Sequence, residues 1–132
     1  MGGEAWSYFT PFDRSVNAAL EKLRDRVFES GAFRGSELNP SSPEEAVANM
    51  EADGTASILD ITEISPTPDF CAVCPLSEEQ LQSYFGTNEP TRDMVEANHD
   101  FFEPIERGQG IYITVYKDDR PSEYFFAGYS FD

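Results

Sequence analysis

A chain of 132 residues carrying a formal net charge of −16 (25 Asp and Glu against 9 Lys and Arg) fits a single domain over residues 1–132, with a core that needs no staples. Aromatic residues make up 14% of it, too many for a disordered chain despite the charge. No apolar run approaches the ~18 residues of a membrane span and no basic, then apolar leader is present, so neither a span nor a secretory signal is expected and the cytoplasm is the expected compartment.

Ala5–Thr10 (AWSYFT) is short, aromatic and stopped by Pro11, which reads as a first strand. An amphipathic helix is expected from Asp13, as N-cap, to Ser30. Val16, Leu20, Leu23 and Val27 share one face of it and Gly31 ends it. Ser42-Pro43-Glu44-Glu45 opens a short helix to Glu51, broken by Asp53-Gly54. Thr55–Ile64 (TASILDITEI) is dense in β-branched residues, and a central strand is expected there, with a helix as the competing reading. After the irregular, proline-rich Pro66–Pro75, Ser77 and Gln80 form a capping box for a helix ended by Gly86. Pro90-Thr91 starts a further helix, with Met94, Val95, Asn98, Phe101 and Phe102 on one face and Pro104 as its stop.

Gly110–Asp132 reads as a β-hairpin. Ile111, Ile113 and Val115 alternate with Tyr112, Thr114 and Tyr116, Lys117–Pro121 supplies turn chemistry, and Glu123–Tyr129 gives the returning strand. Large side chains stand on both faces of both strands. The expected fold is α+β, a mainly antiparallel sheet of about four strands with a C-terminal hairpin and three to four helices packed on one face. The aromatics of the two ends, Trp6, Tyr8, Phe9 and Phe12 with Tyr124, Phe125, Phe126, Tyr129 and Phe131, are expected to build one core.

The charge is unevenly placed. Between Glu37 and Glu103 stand fifteen acids and one base, Arg92, whereas the flanks are close to balanced. Such a middle disfavours nucleic acid and anionic membranes and permits a basic protein partner. Glu44, Glu45, Glu51, Asp53, Glu78, Glu79, Asp93 and Glu96 are the candidate contacts for one. Solubility, or a salty cytoplasm, accounts for the same charge without any partner.

Cys71-Ala72-Val73-Cys74 is the best local motif. Its second thiol lies three residues before the helix cap Ser77, and Asp69, Glu78 and Glu79 would raise a thiol pKa, so structural thiols are the leading reading over redox chemistry. A metal site would have to combine Cys71 and Cys74 with His99 and Asp100 or Asp69, and the chain has one His in all. Asp60 and Glu63, among Ile58, Leu59, Ile61 and Ile64, are the carboxylates best placed to be partly buried. If one sheet face is open, Tyr112, Tyr116, Tyr124 and Tyr129 are expected on it, with Asp60, Glu63 or His99 as the polar group, as an aromatic small-molecule site that could be enzymatic. No nucleophile elbow, phosphate loop, HExxH or EF-hand loop occurs, so no catalytic residue, resident metal or cofactor is assigned.

Small size, strong acidity and the missing catalytic tools together resemble the bacterial immunity proteins that neutralise cationic toxins, a likeness of composition that covers no motif. A non-enzymatic protein-binding module is therefore the first expectation.

Overall fold

The C-terminal hairpin lies at the centre of the sheet. The computed structural model describes residues 3–132, in which β4 (Gly110–Lys117) pairs antiparallel with β5 (Arg120–Tyr129). Asp118 and Asp119 both take the left-handed conformation (φ 52° and 64°), and two such residues give a two-residue turn whose twist matches the strands. A bulge follows, where Val115 faces Glu123 but Tyr116 faces Pro121.

β1 (Ala5–Pro11) adds antiparallel to the outer side of β5, with Trp6 opposite Gly128 and Thr10 opposite Tyr124. β3 (Ala72–Pro75) and then β2 (Glu63–Ile64) add parallel on the other side of β4, so the order is β1-β5-β4-β3-β2. The fold is α+β as expected, with five strands rather than about four and a mixed sheet. The parallel half arises because the segment from Leu76 to Gln109 leaves the sheet at the end of β3 and crosses back to re-enter it at the opposite end, at the start of β4.

Helices cover both faces, not one. The long helix α1 (Val16–Ser30), α2 (Pro43–Met50) and a 3-10 turn at Ile58–Asp60 pack on the face made by Trp6, Val73, Tyr124 and Phe126. On the opposite face α3 (Glu78–Phe85), α4 (Arg92–Ala97) and a 3-10 turn at Asp100–Phe102 cover Cys74, Ile111, Ile113, Val115, Phe125 and Ala127. The physical reason is the alternation in the hairpin itself, whose two sets of side chains are both apolar, so neither can face water. The aromatics accordingly divide between two cores, Trp6 and Phe126 in one, Phe125 and Phe101 in the other.

Local signals placed most helix ends. Ser42 caps α2 and Ser77 with Gln80 forms the capping box of α3, each hydroxyl accepting from a main-chain N–H. Gly31 and Gly86 end α1 and α3 in the left-handed conformation. Two boundaries differ. Ser15, not Asp13, is the N-cap of α1, while Asp13 accepts from the Ser15 N–H one turn outside. The helix begun at Thr91 stops at Ala97, and the chain turns at Asn98 and His99 before the 3-10 turn that seats Phe101.

Thr55–Ile64 is not a central strand. Only Glu63 and Ile64 pair, at the sheet edge, and Ile58, Leu59 and Ile61 plug the first core from the 3-10 turn. The Ser57 hydroxyl accepts from the Leu59 N–H and caps that turn. β-Branched density here signals burial, and the local hydroxyls supply the main-chain partners that a ladder would otherwise provide. Arg24 of α1 is buried against the same turn, its Nη2 donating to the Leu59 carbonyl at 3.1 Å.

The turn also carries a buried carboxylate. Asp60 Oδ1 accepts from the Thr55 N–H and hydroxyl, both at 2.8 Å, and Oδ2 accepts from the Ser130 hydroxyl at 2.6 Å. Gly54 (φ 75°) leaves the space for this, since a Cβ there would collide with Ser130 Oγ and Asp60 Oδ2. Ser130 also accepts from the Ala56 N–H, and its own N–H donates to the Glu4 carbonyl at 2.8 Å. The last residues are thereby fastened to β1 and to the loop before the turn. Replacing Ser130 with Ala should cost about 1–3 kcal/mol, the penalty for orphaned buried partners. Asp60→Ala, which strands three donors, should cost more, and deletion of Tyr129–Asp132 more again. Urea titration of the three proteins checks the order, and a truncated chain that melts like the intact one would show that the fold does not depend on this fastening.

Candidate functional site

Cys71 and Cys74 bracket the entry to β3, not the start of a helix. Residues three apart on an extended chain point to opposite faces, with Cα atoms roughly 10 Å apart, beyond the ~7 Å limit for a disulfide. Both thiols are free. Cys71 is half-buried at φ 60°, its N–H donating to the Gly108 carbonyl, while Cys74 is buried in the second core. Burial pushes the Cys71 thiol pKa up, and Asp60, Asp69 and Glu63 push the same way; burial also raises that of Cys74. Both are held as thiols, the opposite of redox activation. His99 lies on the far side of α4, against Phe101 and Phe102 at ring distances of 5.6 and 6.0 Å. Cys71, Cys74 and His99 are therefore not brought together with a further ligand, and among the described residues no three His, Cys, Asp or Glu side chains form a metal-sized group.

Cys74 does reach one partly open pocket. A cavity of about 260 Å³ lies between the parallel seam and the second helical layer, walled by Pro66, Pro68, Cys74, Phe101, Ile105 and Ile111. Its prolines come from the irregular Pro66–Pro75 stretch, which crosses this face in place of the helix that usually links parallel strands.

The tyrosines and carboxylates expected on one open face are dispersed. Tyr112 and Tyr124 turn towards α1, Tyr129 joins the opposite core, and Tyr116 stands near the hairpin turn. Asp60 is buried in the network already described and Glu63 is exposed on β2. The sheet has no open face for them to share, because the helices cover both.

The acidic candidates fall into two groups. Glu44, Glu45, Glu51 and Asp53 are exposed on and after α2, on one side of the sheet. Glu78 and Glu79 in the first turn of α3, with Asp93 and Glu96 on α4, are exposed on the other. Glu89, Asp100, Glu103 and Glu106 extend the second group, and all are exposed. Among the described residues, the two arginines of this layer are each near an acid. Arg92 lies over the Phe9 ring at 4.1 Å and donates to Glu123 at 2.9 Å, and Arg107 is 3.7 Å from Asp132.

Two open clefts in this layer have tyrosine in their walls and carboxylates beside it. One, of about 480 Å³, is bounded by Tyr84, Asp100, Glu103 and Pro104. The other, of about 430 Å³, has Glu78 and Glu89 on its rim with Leu81, Ile113 and Tyr116 in its wall. Asn98 fixes the first by donating from its side chain to the Tyr84 carbonyl at 2.9 Å and accepting from the Asp100 N–H at 2.9 Å. Tyr84, Asp100 and Glu103 carry no sequence motif. The three-residue spacing of Asp100 and Glu103, one helical face, is the one signal that pairs them.

Tyr8, Tyr112 and Tyr124 are, like the two thiols, raised in pKa chiefly by burial. A raised folded value means the fold holds each proton more tightly than the open chain. That stability is whole below the unfolded values, about 8.5 for thiols and about 10 for tyrosines, and is lost as pH rises through the raised folded ones. Urea midpoints should stay level from neutrality to the thiol range and fall steadily above it; a midpoint that holds or climbs through the tyrosine range would contradict this.

Compared with protein-family models, curated proteins and solved structures, the chain matches none, so the arrangement of these residues is the ground for a functional reading.

Proposed function

We infer that this protein is a non-enzymatic binding module for a basic protein, with the α3–α4 layer as the contact surface. The observation that carries it is the cleft in which Tyr84 stands beside Asp100 and Glu103. A Lys or Arg side chain entering there meets an aromatic ring and two carboxylates, the pairing that best holds a cation at a surface. The neighbouring cleft at Glu78, Glu89 and Tyr116 offers the same chemistry to a second basic side chain. Of the acids first singled out, Glu78, Glu79, Asp93 and Glu96 belong to this surface; Glu44, Glu45, Glu51 and Asp53 are on the other side of the sheet and serve solubility and long-range steering. The likeness in composition to toxin-neutralising immunity proteins is in keeping with this reading.

A second reading, a small apolar ligand in the cavity beside Cys74, is favoured by its lining of proline, Phe101 and Ile111. An Ile111→Trp variant that gains stability and loses access of small thiol reagents to Cys74 would fit an empty cavity with no ligand role.

Reversing the charge at the first cleft tests the main reading. Asp100 and Glu103 are exposed, so Asp100→Lys with Glu103→Lys should leave stability within about 0.5 kcal/mol. Affinity capture from the host lysate should recover a basic protein, weaken as salt rises, and fall at least about tenfold, or 1.4 kcal/mol, with the double variant. Capture indifferent both to salt and to the two reversals would sink it.

A further inference from the structure

The two edges of the sheet are guarded very differently. The β2 edge is two residues long and runs into Ser65-Pro66, which leaves little to pair with. The β1 edge runs over seven residues, Ala5–Pro11, with no charged side chain and no bulge. Its pairing with β5 fixes which main-chain groups are used. The Phe12 N–H donates to the Ser122 carbonyl and the Ser130 N–H to the Glu4 carbonyl, so the even-numbered residues between them face β5. The N–H and C=O groups of Ala5, Ser7 and Phe9 therefore point outward. No main-chain or side-chain partner meets them among the described residues, and Ala5 and Ser7 are exposed. An uncharged, unbulged edge of this length is what sheet proteins ordinarily avoid showing to solvent.

We propose that β1 pairs antiparallel with β1 of a second copy of this chain, joining two five-stranded sheets into one of ten strands about a two-fold axis at Ser7. Centring at Ser7 uses the whole edge. Ser7 meets Ser7 of the second copy, and Ala5 meets Phe9, each pair exchanging two hydrogen bonds. Pro11, which has no N–H to give, falls at the end of the seam where only its carbonyl is needed.

Charge selects a second copy as the occupant. In this register Glu4 stands opposite Thr10 of the other chain, and both side chains lie on the α1 side of the sheet. Thr10 Oγ1 accepts from the Arg26 guanidinium of α1, so Arg26 is held at the position Glu4 approaches. Glu4 and Arg26 are exposed and neither forms an ion pair among the described residues. The two-fold supplies each with its opposite, twice. A β1 strand of an unrelated acidic or basic protein would leave one of the two charges unmatched. The seam is short, so association is concentration-dependent.

Sedimentation equilibrium of the full chain reads the assembly. The wild type should approach twice the monomer mass with rising concentration and dissociate on dilution or added salt. Ser7→Pro deletes an outward N–H and nothing that β5 uses, so it should stay monomeric while keeping the wild-type circular dichroism and cooperative melting. Glu4→Arg should weaken the dimer at least tenfold, and Glu4→Arg with Arg26→Glu should restore it. Hydrogen exchange at Ser7 and Phe9 should slow with concentration in the wild type alone. A wild type that is monomeric at every concentration, a Ser7→Pro protein that dimerises as tightly as the wild type, or a charge swap that fails to rescue would each overturn the proposal.

Discussion

Asp60 is the point on which the rest of the structure hangs. A carboxylate withdrawn from water is tolerable only if donors replace the solvent it has lost. Its three donors come from two distant parts of the chain, Thr55 five residues before it and Ser130 seventy residues after it. Satisfying one side chain therefore fixes the loop at Gly54–Ser57, the 3-10 turn that plugs the first core, and the end of β5. Phe131, just beyond Ser130, stacks on Phe70 at 5.0 Å, and the Asp132 N–H donates to the Asp53 carbonyl, so the same junction also steadies the proline-rich crossing.

The parts of this fold that could be read from sequence are those whose causes are local. The hairpin, α1 with its Gly31 stop, and the capping box of α3 each follow from periodicity and from side chains that satisfy their own neighbours. The failures have a common origin in contacts between distant residues. Thr55–Ile64 has strand composition, yet Asp60 finds Ser130 and Arg24 finds Leu59, and both partners lie beyond any window of ten residues. The helices were expected on one face, although Tyr112 and Phe126 on one side and Ile113 and Phe125 on the other already required two covers. Of the site, Glu78 and Glu79 were legible as exposed helix-start acids. Tyr84 with Asp100 and Glu103 was not, because what joins them is the turn at Asn98 and His99 inside a stretch that reads as continuous helix.

The division of labour between sheet and helices follows from the same burial. Strands covered on both faces hold little charge, so most of the 25 acidic residues go to helix surfaces and turns, with Glu63 and Glu123 on strands and Asp60 buried among the exceptions. Acids gather in the first turns of α2, α3 and α4, where the unpaired N–H groups favour them, and each cap hydroxyl shares that end. The thiols between these regions feel the result. Cys71, half-buried near Asp60, Asp69 and Glu63, has its thiol pKa raised by burial first and by those acids second.

The buried carboxylate and the open edge are connected through Glu4. Ser130, held by Asp60, donates its N–H to the Glu4 carbonyl, and the Glu4 N–H donates to the Asp132 main-chain oxygen at 3.3 Å. Those two bonds extend the pairing past Ala5 and keep the start of β1 from fraying, which an edge strand with one neighbour otherwise tends to do. Trp6 completes the anchoring, packed where Gly110 and Gly128 face each other across the strands and where any Cβ on Gly128 would strike its ring. A strand pinned at its beginning by the clamp, at its middle by Trp6 and at its end by Arg26 on Thr10 has little freedom left to lose. Ordering the strand is one of the costs of pairing a free edge, beside the lost freedom of two separate chains, and the fold has already met most of that one.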